Sequence, residues 1–69
     1  MKRRDIVRHL ERCGCYLLRE GGRHSIYWNV LNGKRASVPR HMEVNEITAR
    51  EIFKEIDIPH PDDLNPRVQ

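Results

Sequence analysis

This 69-residue sequence is poor in the features that would commit it to a membrane, a secretory route or a metal. It has no long apolar run, so no part of it reads as a transmembrane span. The start, Met1-Lys2-Arg3-Arg4-Asp5, is basic, yet no apolar stretch follows to make a signal peptide. Cysteine is confined to Cys13 and Cys15, with Gly14 alone between them. That spacing is too tight for an ordinary structural disulfide, and no second pair exists to complete a zinc set, even if His9 joins from one helical turn away. The pair reads as two small, partly buried thiols in a reducing compartment, and the expected location is the cytoplasm. Repeats, low-complexity tracts, and Walker, Rossmann and Ser-His-Asp patterns are all absent. Size excludes more. A chain this short buries only about 60% of its unfolded surface, which leaves little room for an internal cavity and argues against a large cofactor. Any site has to be built on the surface from few residues.

Acidic residues are scarce in the front of the chain. Residues 1–42 hold ten Lys/Arg against three Asp/Glu, while residues 43–69 hold three against seven. A basic front and an acidic back point to one face that attracts a polyanion. A solvated charged surface would give the same net +3, so the segregation carries the argument and the total does not.

The order of elements is legible. Residues 3–13 carry Ile6, Val7, Leu10 and Cys13 as one apolar helical stripe, with Gly14 placed as the residue that ends the helix. Cys15 to Glu20 reads as a short strand, Gly21-Gly22 as a turn, and Arg23 to Val30 as a second strand rich in β-branched and aromatic residues. Asn32-Gly33 predicts a type I′ hairpin turn, and Lys34 to Val38 a third strand stopped by Pro39. A second helix is expected from an Asn45 cap, with Ala49, Ile52, Phe53 and Ile56 as its stripe and Ile47 and Ile58 extending it. The expectation is an α+β domain over residues 1–58, ordered α-β-β-β-α, with a three-stranded antiparallel sheet and both helices on one face. Double-stranded-RNA-binding domains have this arrangement. Residues 59–69, rich in proline and acid, read as an extended C-terminal tail.

The most informative stretch is Gly21-Gly22-Arg23-His24-Ser25-Ile26-Tyr27. A glycine pair lets backbone approach a ligand closely, Arg23 offers a phosphate contact, and His24 follows directly at the mouth of the second strand. Imidazole suits RNA cleavage because its unperturbed pKa is about 6.5, so it exchanges protons near neutrality with a 2′-hydroxyl or a leaving oxygen. RNA carries its own nucleophile, and cations suffice to hold the phosphate, so no metal and no cofactor are called for. Against this, strict alternation puts His24 on the same face as Ile26 and Trp28, the face assigned to the core, with Trp28 buried and Tyr27 opposite. His24 then escapes burial only at the strand's end or beyond a bulge. Gly22, Arg23, Lys34, Arg35 and Arg40 are the candidate RNA contacts. His41 sits before the second helix, where a loop or capping role competes with assistance to His24. His9 and His60 read as having no chemical role.

The Gly-Gly-Arg-His-Ser-Ile-Tyr stretch resembles the Gly-Ser-His-x-x-Tyr signature of the HicA family, small toxin ribonucleases of toxin–antitoxin pairs. Val38-Pro39-Arg40-His41 is similar to that family's Val/Ile-Pro-x-His segment, and the resemblance covers about residues 1–58. It implies metal-independent cleavage of messenger RNA, His24 as the catalytic histidine, and neutralisation by a HicB-like antitoxin, to which the acidic tail is a candidate contributor. Arg23 departs from the pattern, standing where the family usually has a small residue. A cation there would depress the imidazole's pKa or tighten phosphate binding. Two other readings stay open on the sequence: a non-catalytic RNA-binding module of the same fold, and a subunit whose basic face meets an acidic protein.

Overall fold

A computed structural model describes residues 1–64. The order is α1 (Arg3–Arg12), β1 (Cys15–Glu20), β2 (His24–Asn29), β3 (Arg35–Pro39) and α2 (Glu46–Glu55), followed by a short 3-10 helix (Pro61–Leu64). The strands form one antiparallel sheet in the order β1-β2-β3. The helices lie on one face of it, α1 chiefly along β1 and α2 along β3. Among the described residues no helix is long and apolar enough to cross a membrane.

Each helix forms where its stripe can be buried. Ile6 and Leu10 of α1 are fully covered, as are Ala49, Ile52 and Phe53 of α2 with Ile56 just beyond. Gly14 ends α1 at φ 83, its N–H donating to the Glu11 carbonyl at 3.2 Å. Asn45 caps α2, its side-chain oxygen accepting from the Ile47 N–H at 2.7 Å. Ile47, expected to extend the stripe, is instead 70% exposed, in the first turn of α2. Asp57 takes the left-handed position after α2 at φ 61, and the Ile58 N–H reaches back to the Phe53 carbonyl at 3.0 Å.

Two further expectations are corrected by backbone hydrogen bonding and packing. The β2–β3 connection is not a two-residue type I′ turn. Of Asn32 and Gly33, only Gly33 has positive φ, at 76. The loop runs Val30–Gly33, closed by Asn29 N–H to the Lys34 carbonyl and Gly33 N–H to the Asn29 carbonyl, both at 2.8 Å. Asn32 uses its side chain instead, accepting from the Lys34 N–H at 2.8 Å. Nor is the chain extended directly after Pro59. His60 is buried, with its ring edge-on to Phe53 at 5.5 Å, and His9 meets the same phenyl ring from α1 at 5.2 Å. His9 Nε2–H donates to the Pro59 carbonyl at 2.7 Å, which clamps this segment to α1. Both histidines therefore carry packing. The rest of the expected tail, residues 65–69, lies outside the described residues.

The register of β1 on β2 contains one irregularity with consequences for the site. Cys15, Tyr16 and Leu17 face Asn29, Trp28 and Tyr27 in turn, but Ile26 is then met by Arg19, and Ser25 by Glu20. Leu18 is the extra residue of a β-bulge. The slip turns Arg19 to the face without helices and Glu20 to the helix side.

Candidate functional site

Alternation along β2 settles which of its residues meet solvent. Ser25, Tyr27 and Asn29 are buried against the helices, whereas His24 is exposed and Ile26 and Trp28 are half-buried on the opposite, open face. This reverses the assignment made from apolarity. Trp28 is not a core residue; Tyr27 is, at 6% exposed, and burial pushes its phenol upward in pKa. The polar members of the inward face are tolerated because each is hydrogen-bonded. Asn29 Nδ2 donates to the Ile56 carbonyl at 3.1 Å, and Ser25 Oγ donates to Glu20 Oε1 at 2.8 Å. His24 is thus free of the core without any distortion of β2.

A network spanning four elements fixes the backbone on either side of His24. Arg3, at the start of α1, donates from Nε to the Pro39 carbonyl at 2.9 Å and from Nη2 to Ser25 Oγ at 2.8 Å. Glu20 accepts from Ser25 and also from Arg40 Nη2 at 2.5 Å, and the same Arg40 nitrogen reaches the Gly21 carbonyl at 2.6 Å. The β1–β2 turn is tied in as well, by Gly21 N–H to the His24 carbonyl at 2.8 Å. A Cβ on Gly21 would stand 3.0 Å from that carbonyl oxygen, so any other residue there needs the turn to give by a few tenths of an ångström. Gly22 would meet nothing within 4 Å, so its α-carbon is left open to a ligand.

Two shallow grooves meet at His24. One, of about 510 Å³, is lined by Gly22, Arg23, His24, Arg40 and His41. The other, of about 330 Å³, lies on the open sheet face and includes Arg19, Arg23, His24, Ile26 and Ser37. A third depression of about 360 Å³ continues the cationic surface from Arg40 to Lys2, Arg3 and Arg4. Of the candidate RNA contacts, Gly22, Arg23 and Arg40 therefore gather around His24. Lys34 and Arg35 stand at the other end of the sheet, Lys34 with its ammonium 3.5 Å from Asp57 and Arg35 opposite Trp28. His41 lines the His24 groove and does not cap α2, a role filled by Asn45. Burial pushes the Cys13 and Cys15 thiols up, so neither is an activated nucleophile. Among the described residues no three His, Cys, Asp or Glu side chains cluster as a metal would need.

Sequence reasoning missed Arg3, Ser25, Glu20 and Arg19. Arg3 did carry a signal: a cation in the first turn of a helix opposes the helix dipole, so a tertiary partner is expected to hold it. Arg19 carried none, since its facing depends on the bulge.

The bond from Ser25, followed by the hydrogen bond and charge of Arg40, holds the Glu20 carboxyl below its ordinary value of 4.5. A carboxyl depressed in the folded state stabilises fully above its unfolded pKa, and that contribution is lost as pH falls through the folded value. Acidification below about pH 4.5 should therefore loosen the β1–β2 turn selectively. Amide shifts of Gly21, Gly22 and Arg23 followed by NMR should titrate there in the wild type and stay flat in Glu20→Gln. An unchanged titration in that variant would remove Glu20 from the account.

An exposed imidazole on an open sheet face, ringed by guanidinium groups held by an α+β scaffold, defines a class of small domain that works on a polyanion. The chain belongs to the HicA toxin family of bacterial toxin–antitoxin systems, whose pattern it matches over residues 3–58. It is accordingly the toxin component of such a pair, an endoribonuclease acting on messenger RNA with a HicB antitoxin as its partner. No curated relative and no solved structure matches it.

Proposed function

We propose that this toxin cleaves messenger RNA in the cytoplasm by metal-independent transesterification, with His24 as the general acid or base. The observation that supports the reading is the placement of His24. It stands at the junction of two grooves, exposed, with Arg23 and Arg40 beside it and its backbone fixed by the Arg3–Ser25–Glu20 network. RNA supplies the nucleophile: the 2′-oxygen attacks the adjacent phosphorus, the bond to the 5′-oxygen breaks, and that oxygen takes a proton. His24 would accept the 2′-hydroxyl proton or donate the one that the leaving oxygen needs. Arg23 would offset the charge that builds on the phosphoryl oxygens. Arg40, already engaged with Glu20 and Gly21, would act chiefly by holding the turn. Gly22, with open space at its α-carbon, would let the RNA backbone lie close. The antitoxin would silence the protein by covering the His24 grooves.

The purified chain incubated with a long messenger RNA in EDTA provides the test. We expect fragments ending in a 2′,3′-cyclic phosphate and a 5′-hydroxyl. Intact RNA in EDTA, with cleavage restored by a divalent cation, would overturn the metal-independent mechanism. Binding with no cleavage under any condition would make the chain a binding module.

A further inference from the structure

The open face of the sheet is ordered in rows by the register. Tyr16, Trp28 and Arg35 stand opposite one another across the three strands; Arg19, Ile26 and Ser37 form the next row; and His24 with Pro39 forms the last. Among the described residues no helix covers this face. Tyr16 is 48% exposed and Trp28 half-buried, so two aromatic surfaces lie open side by side. The charges on the face are of one sign: Arg19 and Arg35 belong to it, with Arg23 at its margin. Most acidic residues sit elsewhere, on the helices and loops; Glu20, at the end of β1, also lines the groove at His24, but the bulge turns its carboxylate to the helix side, where Ser25 and Arg40 hold it. The face is continuous with the cleavage site, because Arg19, Ile26 and Ser37 line the same groove as His24.

We propose that this face is a stacking platform for a single-stranded run of the RNA, with Trp28 stacking a base and Arg35 and Arg19 holding the phosphates on either side. The proposal rests on the reading of His24 as the cleavage centre and adds the form of the substrate. Trp28 lies four positions along the strand from His24, about 13 Å, a span that a short extended stretch of nucleotides bridges. An aromatic on an uncovered sheet stacks any unpaired base, since every base has a π-face, and flanking cations track the backbone. Duplex RNA keeps its bases stacked inside and has none to offer. A face with only cations among its charges also favours a polyanion over a protein surface of mixed charge. The toxin then acts on unpaired stretches of a message.

Trp28 is the chain's only tryptophan, so its emission reports directly on this face. The probe is a short single-stranded RNA oligomer titrated into the full chain carrying His24→Ala, with the same strand annealed to its complement as comparison. The single strand should quench emission saturably; the duplex should not. In the chain with His24 intact, Trp28→Ala should raise KM for RNA by roughly five- to 150-fold, with kcat little changed, and Trp28→Phe should restore most of the affinity. RNA binding seen by anisotropy with no change in emission would overturn the proposal, as would equal quenching by duplex or an unchanged KM in Trp28→Ala. Loss of antitoxin affinity in Trp28→Ala with RNA affinity intact would overturn it too, and would make the face a protein surface. These failures leave the cleavage centre standing. Undiminished cleavage by His24→Ala would instead bring down the reading on which the platform rests.

Discussion

His24→Ala should lower the rate of RNA cleavage by about 10²- to 10⁴-fold, the range that a positioned proton donor or acceptor contributes, while leaving the fold and RNA affinity close to wild type. The separation of effects follows from geometry. His24 is exposed at the first position of β2, and the backbone hydrogen bond of the turn runs to its carbonyl, not to its ring. Truncation therefore leaves no cavity and breaks no bond of the network that fixes the turn. Phosphate contacts supply most of the affinity for RNA, and Arg23 remains in place. The decisive comparison is single-turnover cleavage beside anisotropy of labelled RNA, with circular dichroism to verify folding. A variant that binds and cuts like the wild type would move the chemistry elsewhere, with His41 in the shared groove the next residue to replace.

Phe53→Ala should unfold the domain. Phe53 is 1% exposed, at the centre of α2's buried stripe, with the His9 and His60 rings against its edges. Truncating a buried phenyl ring costs about 3–5 kcal/mol through lost transfer energy and the cavity left behind. A single core this small supplies a net stability of roughly the same size. The loss also strips the segment after Pro59 of its seat, since His60 packs on that ring. Urea denaturation should show a cooperative transition for the wild type and none for the variant at 25 °C. A cooperative transition near the wild-type midpoint would mean that the core is redundant at Phe53.

The helices were legible in the sequence because their apolar periodicity is strong and has a single solution. Ile6 with Leu10, and Ala49 with Ile52, Phe53 and Ile56, form the centre of each stripe and are buried, with Val7 and Cys13 packed against them. The strands were legible as strands but not as to which side faces inward. In His24-Ser25-Ile26-Tyr27-Trp28-Asn29 the more apolar set is Ile26 and Trp28, and hydrophobicity alone sends that set to the core. The structure does the reverse because two polar residues on the other set find partners far away in sequence: Arg3 and Glu20 for Ser25, and the Ile56 carbonyl for Asn29. Side-chain hydrogen bonds of that kind outweigh a modest difference in apolar area, and nothing local announces them. The candidate site was half legible. Gly22, Arg23, His24 and Arg40 are neighbours in space as well as in motif, whereas Lys34 and Arg35 share only their charge with that group. What could not be read was the support: an arginine from α1 and a glutamate whose facing depends on an extra residue in a strand.

That extra residue decides an electrical sign. Were β1 to lie beside β2 without its slip, Leu18 would stand opposite Ile26, Arg19 opposite Ser25 and Glu20 opposite His24. The same six amino acids would then present a carboxylate to the incoming phosphate and bury a guanidinium under the helix. Polarity beside His24 is thus encoded in a count of residues, odd or even, and composition is silent on it. A drift of β1 by one position would disarm the toxin without altering a single side chain.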